Sequence, residues 1–259
     1  MTDWLDLLKS CRDANTPCVL VTLIETEGST PQRAGAKLVL SADATAGSVG
    51  GGDLEYQATQ IARRLLTEGG KPQIHRLLPV SHQNQHCGSP ATLLFEPFPR
   101  NDFNIVLFGA GHVGQALVHV LSPLPCRIAW IDARPALFPK SLPANVYASI
   151  SETPEPFVGA AEPGSCYLIM TPSHDQDYRI GAAILERGDF TYLGMIGSAT
   201  KRRQFEAFAL ARGIAPGRLA ELHCPMGMAG ISGRQPAVIA IAIAAEILQT
   251  RAQVRAKAG

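Results

Sequence analysis

The chain has six cysteines but no CxxC pair and no Cys/His spacing of the zinc-finger kind, which excludes a small structural zinc site of that type. It has no excess of charge. With 23 Lys+Arg against 22 Asp+Glu the formal net charge is +1, so no global field draws it to nucleic acid or to an anionic membrane. It also lacks a long apolar run, because the longest, residues 237–245, falls short of the ~18 residues that span a bilayer. The N-terminus carries Asp3 and Asp6 where a signal peptide would place positive charge. These absences together lead us to expect a soluble, cytoplasmic protein with free thiols. Hydrophobic residues at 46% and charged residues at 17% supply ample core material and argue against long disorder.

At ~150 residues per domain, 259 residues make one large domain or two modest ones. Trp4, Leu7, Leu8 and Cys11 share a face at helical spacing, which predicts an amphipathic first helix. CVLVTLIET, KLVLS, QIHRLLPV and ATLLFEPF read as strands. DLEYQATQIARRLLTEGG reads as a helix with Leu54, Ala58, Ile61, Ala62 and Leu65 inward. After the proline-rich EPFPRND the pattern changes. NIVLF, RIAWID, CYLIMT and TYLGMIG are strands alternating with helices, which predicts a parallel sheet covered on both faces. The expected architecture is α/β: a smaller N-terminal α+β domain over 1–99, then a Rossmann-type doubly wound domain over 100–259. There is no internal repeat.

The chemistry concentrates in a few loops. Gly109-Ala110-Gly111-His112-Val113-Gly114 is a GxGxxG turn that follows a strand and opens a helix, the context in which the pattern carries meaning. The first glycine permits the turn, the second lets a phosphate approach the backbone, and the third lets helix and strand pack closely. Asp132 ends the next strand, where an acid can bind ribose hydroxyls. TPSHDQD follows a later strand. His174 there can bind a metal or move protons, and Asp175 or Asp177 is expected to cap the next helix. In GMIGSATKRR, Ser198 and the backbone after it can bind an anion, and Lys201 and Arg202 either add charge or form a solvated helix face.

Gly50, Gly51 and Gly52 precede a helix with Asp53 and Glu55 in its first turn, so they mark either close approach to a ligand or left-handed turns. Cys18, Cys126 and Cys166 lie at or in apolar runs and read as core. Cys87 and Cys224 sit beside Gly or Pro in loops, where packing explains a thiol less well. Cys87 is a candidate soft ligand or sulfur-handling group.

The stretches GSTPQRAGAKLVL, GSVGGGDLE, HCGSPATLLFEP, VLFGAGHVGQAL, IDARPALFP, MTPSHDQDY, GMIGSATKR and CPMGMAGISGRQPAVIAIAIAAEIL occur in one order over nearly the whole chain. In this the sequence resembles the XdhC/CoxI family. The resemblance implies an accessory factor for xanthine dehydrogenase and related molybdenum hydroxylases, not a turnover enzyme. Such a protein would bind the molybdenum cofactor (Mo-molybdopterin), support its sulfuration with a cysteine desulfurase-like partner, and deliver it to the apo-hydroxylase. It implies self-association, as a dimer. It also implies a cofactor-binding set of Gly109, Gly111, His112, Gly114, Asp132, Gly50, Gly51, Gly52, Cys87, His174, Ser198 and Lys201, with no catalytic residue assigned. The sequence departs from the family pattern at three places. His86-Cys87-Gly88-Ser89 stands where the family often has two cysteines followed by two glycines, Asp53 where His or Cys is usual, and Pro172 where His is usual. The residues by themselves leave two other readings: an NAD(P)-dependent oxidoreductase and a non-catalytic interaction module.

Overall fold

The structure, a computed structural model, describes residues 3–27, 32–78 and 90–258. The chain divides into two compact units, Met1–Arg100 and Asn101–Gly259.

The first unit is built on a five-stranded antiparallel sheet of β1 (Cys18–Thr26), β2 (Lys37–Ser41), β3 (Thr45–Gly47), β4 (Gln73–Leu77) and β5 (Ala91–Phe98), in the order β3-β2-β1-β5-β4. β1 is an almost unbroken apolar run because its start is covered on both sides. Val19, Val21 and Leu23 share a core with Ala58, Ala62 and Leu65 of α2 (Asp53–Glu68). Cys18 and Leu20 pack with Cys11, Trp4, Leu7 and Leu8 of α1 (Trp4–Ala14), the face that helical spacing predicts. β3 goes beyond what the pattern predicts. It is three residues long with one buried side chain, too short to leave a periodic signature.

The second unit has a six-stranded sheet, parallel throughout. Its strands are β6 (Asn104–Phe108), β7 (Arg127–Asp132), β8 (Val146–Ile150), β9 (Cys166–Ile169), β10 (Tyr192–Met195) and β11 (Leu222–His223). The order β11-β10-β9-β6-β7-β8 is the doubly wound arrangement, with its reversal between β6 and β9. Alternate residues of β6 face opposite cores. Ile105 and Leu107 join α3 (His112–Leu121) and α8 (Pro236–Ala258), while Val106 and Phe108 join α5 (His174–Arg187) and α6 (Ala199–Ala211). Two short helices, α4 (Pro156–Ala160) and α7 (Pro216–Leu219), complete the unit.

β8 and β11 escape the sequence pattern for physical reasons. β8 is an edge strand with one buried residue, held by its backbone ladder to β7 instead of by apolar side chains. β11 is only two residues long. Helix α8 corrects the reading of the apolar run. Pro236–Val254 is long and apolar enough, by length and composition alone, to cross a membrane. In the fold Ala240, Ile243, Ala244 and Ile247 are buried in the core shared with α3.

Candidate functional site

The carboxyl ends of β6 and β9, where strand order reverses, define the crevice in which open α/β sheets hold ligands. One wall is the glycine turn. Its three glycines are there for different reasons. Gly109 has φ +115°, and a Cβ on it would lie 2.3 Å from the Met170 carbonyl oxygen, so backbone conformation and packing both demand glycine. A Cβ on Gly114 would lie 2.3 Å from the Gly109 carbonyl oxygen, which is the close helix–strand approach expected of the third glycine. Gly111 is unlike both. It caps α3 at φ −68°, and a Cβ there would meet nothing within 4 Å. The fold therefore has no need of glycine at 111, and its missing side chain leaves open space beside the first turn of α3. The leading N–H groups of a helix have no intrahelical acceptor and carry its positive end, the setting in which proteins hold phosphate. His112 opens this helix and is exposed.

The turn is held rigidly from behind. Trp130 Nε1 donates to the Gly109 carbonyl at 3.0 Å, Gln115 Nε2 donates to the Ala110 carbonyl at 3.1 Å, and the Ala110 N–H donates to Asp132 Oδ2 at 2.6 Å. Asp132 also receives the Arg134 N–H and Nε on Oδ1, each at 2.9 Å, and Arg134 Nη2 on Oδ2 at 2.8 Å. Burial opposes its charge, but the Arg134 side chain and the two backbone donors outweigh that and lower the carboxyl from 3.8 to about 2.

The other wall is the segment after β9. Thr171 donates its N–H and Oγ1 to Asp177 Oδ1 at 3.1 and 2.6 Å. The expected aspartate cap is replaced by Ser173, whose Oγ accepts from the Gln176 N–H at 3.3 Å, so α5 begins at His174, before both aspartates. Asp175 is exposed in the first turn and pairs with Arg179, while Asp177 turns inward, fully buried, onto Lys201. His174 is exposed, its ring 6.2 Å from that of Tyr178. Ser198 caps α6, accepting from the Lys201 N–H at 3.3 Å.

Lys201 is neither a solvated residue nor an open charge. Its ammonium is buried against Asp177 and donates to the Ile196 carbonyl at 2.8 Å. Arg202 is likewise tied down, to Glu206 and to the Leu222 carbonyl. Cys224, which the loop context makes hard to explain, is buried in the α5–α6 core, and burial raises its thiol pKa. Cys11, Cys18, Cys126 and Cys166 are buried and free as well.

In the first unit, Gly52 caps α2 at φ +58°, and Gly51, like Gly111, has nothing within 4 Å of a Cβ. A Cβ on Gly50 would meet the Leu54 side chain at 2.8 Å. Ser48 Oγ donates to the Glu55 carboxylate and accepts from the Gly50 N–H at 3.3 Å, which fixes the start of this loop. Cys87 and His86 lie outside the described residues. Among the described residues no group of three or more His, Cys, Asp or Glu is placed to hold a metal ion.

One cluster is invisible to sequence reasoning. Glu246 of α8 receives Tyr192 Oη at 2.6 Å and the Gly227 N–H at 2.6 Å on Oε2, and its Oε1 lies 2.8 Å from His223 Nδ1. One carboxylate thus ties β10, β11 and the loop after β11 to the last helix. Its signal in the sequence is a single acid in the apolar run VIAIAIAAEIL.

Residues 105–247 match the model of the XdhC Rossmann domain, and residues 11–77 match that of the XdhC and CoxI family. The uncharacterized protein YqeB of Escherichia coli K12 is 26% identical over 243 residues, 92% of this chain and 44% of that protein. A Bacillus subtilis 168 protein named as a probable xanthine dehydrogenase subunit is 27% identical over 161 residues, 61% of this chain and 45% of that protein. The chain thus spans less than half the length of these curated relatives. A crystal structure described as a xanthine dehydrogenase from Bacillus halodurans superposes with TM-score 0.51 at 20% identity, covering 97% of this chain and 96% of that one, a likeness of fold.

Proposed function

The chain belongs to the XdhC and CoxI family, and from that premise we propose that it binds the molybdenum cofactor by its phosphate and hands it to a xanthine dehydrogenase-type hydroxylase. Gly111 carries the reading. A glycine that the fold does not require leaves open space at the positive end of α3, the setting in which proteins hold phosphate, and there we place the phosphate of the pterin cargo. The first-turn amides of α3 would hold the phosphate, with Gly109 and Gly114 shaping the turn and Ser198 and His174 set at neighbouring strand ends. When bound, the pterin supplies the ligation of its own molybdenum, so the protein's task is to grip, shield and release. In the first unit, Gly50–Gly52 and Cys87 are our further candidates for cofactor handling, with Cys87 supporting sulfuration beside a cysteine desulfurase-like donor. The name of the Bacillus subtilis relative supports the choice of client. We place the exchange in the cytoplasm and the chain in a homodimer, acting as an accessory protein without turnover of its own.

Protein purified from a cell that makes molybdopterin should carry a pterin phosphate by mass spectrometry and molybdenum by elemental analysis. Protein from a host unable to make molybdopterin should carry neither. Recovery of a nicotinamide nucleotide in place of the pterin would overturn the reading.

A further inference from the structure

We propose that Asp132 and Arg134 make the crevice selective, barring the ribose diol of NAD while leaving the first turn of α3 open to a phosphate ester. The inference rests on the reading of this crevice as a phosphate-cargo site and adds what the site refuses.

Rossmann domains that hold NAD use the acid at the end of the second strand to accept hydrogen bonds from ribose hydroxyls. Asp132 stands at that position, at the end of β7. An ionised carboxylate offers about four lone-pair sites. Here four protein donors fill them: the Ala110 N–H and Arg134 Nη2 on one oxygen, the Arg134 N–H and Nε on the other. The Asp132 side chain is 3% exposed, whereas that of Arg134 is 46% exposed. A ligand arriving from solvent therefore meets a guanidinium where a ribose site would present a carboxylate.

To reach Asp132, a diol would have to displace a side-on guanidinium that donates two parallel charge-assisted bonds. Two neutral hydroxyls do not replace these, because a bond charged on both sides is the stronger. Displacing the Ala110 N–H as well would loosen the turn that the phosphate needs. The acid thus acts as a positioning residue for the glycine turn, and Arg134 is its cover. Specificity is a difference of affinities, gained as well by removing a competitor's anchor as by improving the cargo's. A cargo protein that bears the dinucleotide fingerprint gains from such a device, because NAD carries the pyrophosphate that the fingerprint recognises.

The test is a fluorescence titration of the full chain with NADH, with thermal melts of each variant alongside. Wild type should show no saturation at millimolar NADH. Arg134→Ala uncovers the carboxylate and should bind NADH at least about tenfold more tightly, the scale of one hydrogen bond to a charged group. Arg134→Gln, which keeps the side-chain length but cannot form the side-on pair, should gain in the same direction if the alanine variant melts early. Saturable NADH binding by wild type overturns the proposal without recourse to any variant. So does an Arg134 variant that melts like wild type and gains nothing. Wild type that binds NADH yet is isolated with a pterin phosphate sinks this selectivity alone. Wild type that binds neither sinks the cargo reading alone.

Discussion

At the scale of single residues, the glycine turn separates what folding demands from what a ligand demands. Gly109→Ala places a Cβ against a main-chain oxygen and a side chain at positive φ, and Gly114→Ala drives a Cβ into the turn's own carbonyl. Each should cost about 3 kcal/mol or more, because the obstacle is backbone and cannot rotate away. Gly111→Ala should cost less than about 1 kcal/mol, the loss of a good helix cap. Urea midpoints of the three variants check the contrast. Asp132 carries a pH signature with a definite sign. Its carboxyl is depressed in the fold, from 3.8 to about 2, so its stabilisation is complete above the unfolded value and is lost as pH falls through the folded one. The stability gap between wild type and Asp132→Asn should therefore be widest above about pH 5, on the order of 2 kcal/mol, and should close toward pH 2. Acid-dependent unfolding of the two proteins measures it.

At the scale of elements, one buried ion pair and one carboxylate hydrogen-bond cluster tie the second unit together. Asp177 of α5 and Lys201 of α6 join the loops after β9 and β10. Lys201→Met leaves Asp177 as an uncompensated buried charge and should cost about 3–5 kcal/mol, and adding Asp177→Leu should restore part of it, because the apolar pair removes the buried charge but leaves the Thr171 N–H without its acceptor. A double-mutant cycle by denaturant unfolding decides the matter. Glu246→Ala orphans the Tyr192 hydroxyl and the Gly227 N–H and should cost about 1–3 kcal/mol for each group that water cannot reach.

The legibility of the sequence varies with these same elements. Strands and helices with apolar faces, such as β6 and α2, are readable because burial imposes a period on the residues. β8 is not, because an edge strand held by its backbone leaves its side chains unconstrained. The turn at 109–114 is readable because its residues are adjacent. The Glu246 cluster is not, because Tyr192, His223 and Glu246 are far apart in the chain and meet only once the sheet and the last helix are assembled. Lys201 defeats local reading because nothing beside it distinguishes a lysine that finds a buried aspartate from one that faces water.

At the scale of the whole molecule, the proposal draws on each unit separately. In unit 101–259 the glycine turn, where we place the phosphate, is fixed by side chains behind it. Unit 1–100 supplies a glycine loop with its own spare glycine at Gly51. In the function we propose, main-chain amides bared by Gly111 hold the cargo's phosphate. The most direct measurement is a calorimetric titration of molybdopterin into the wild-type chain and into Gly111→Val, both confirmed folded by near-ultraviolet circular dichroism. Wild type should bind saturably, and the variant should lose at least about a hundredfold, the scale of two hydrogen bonds to a charged group. Equal affinity in a folded Gly111→Val would contradict the claim.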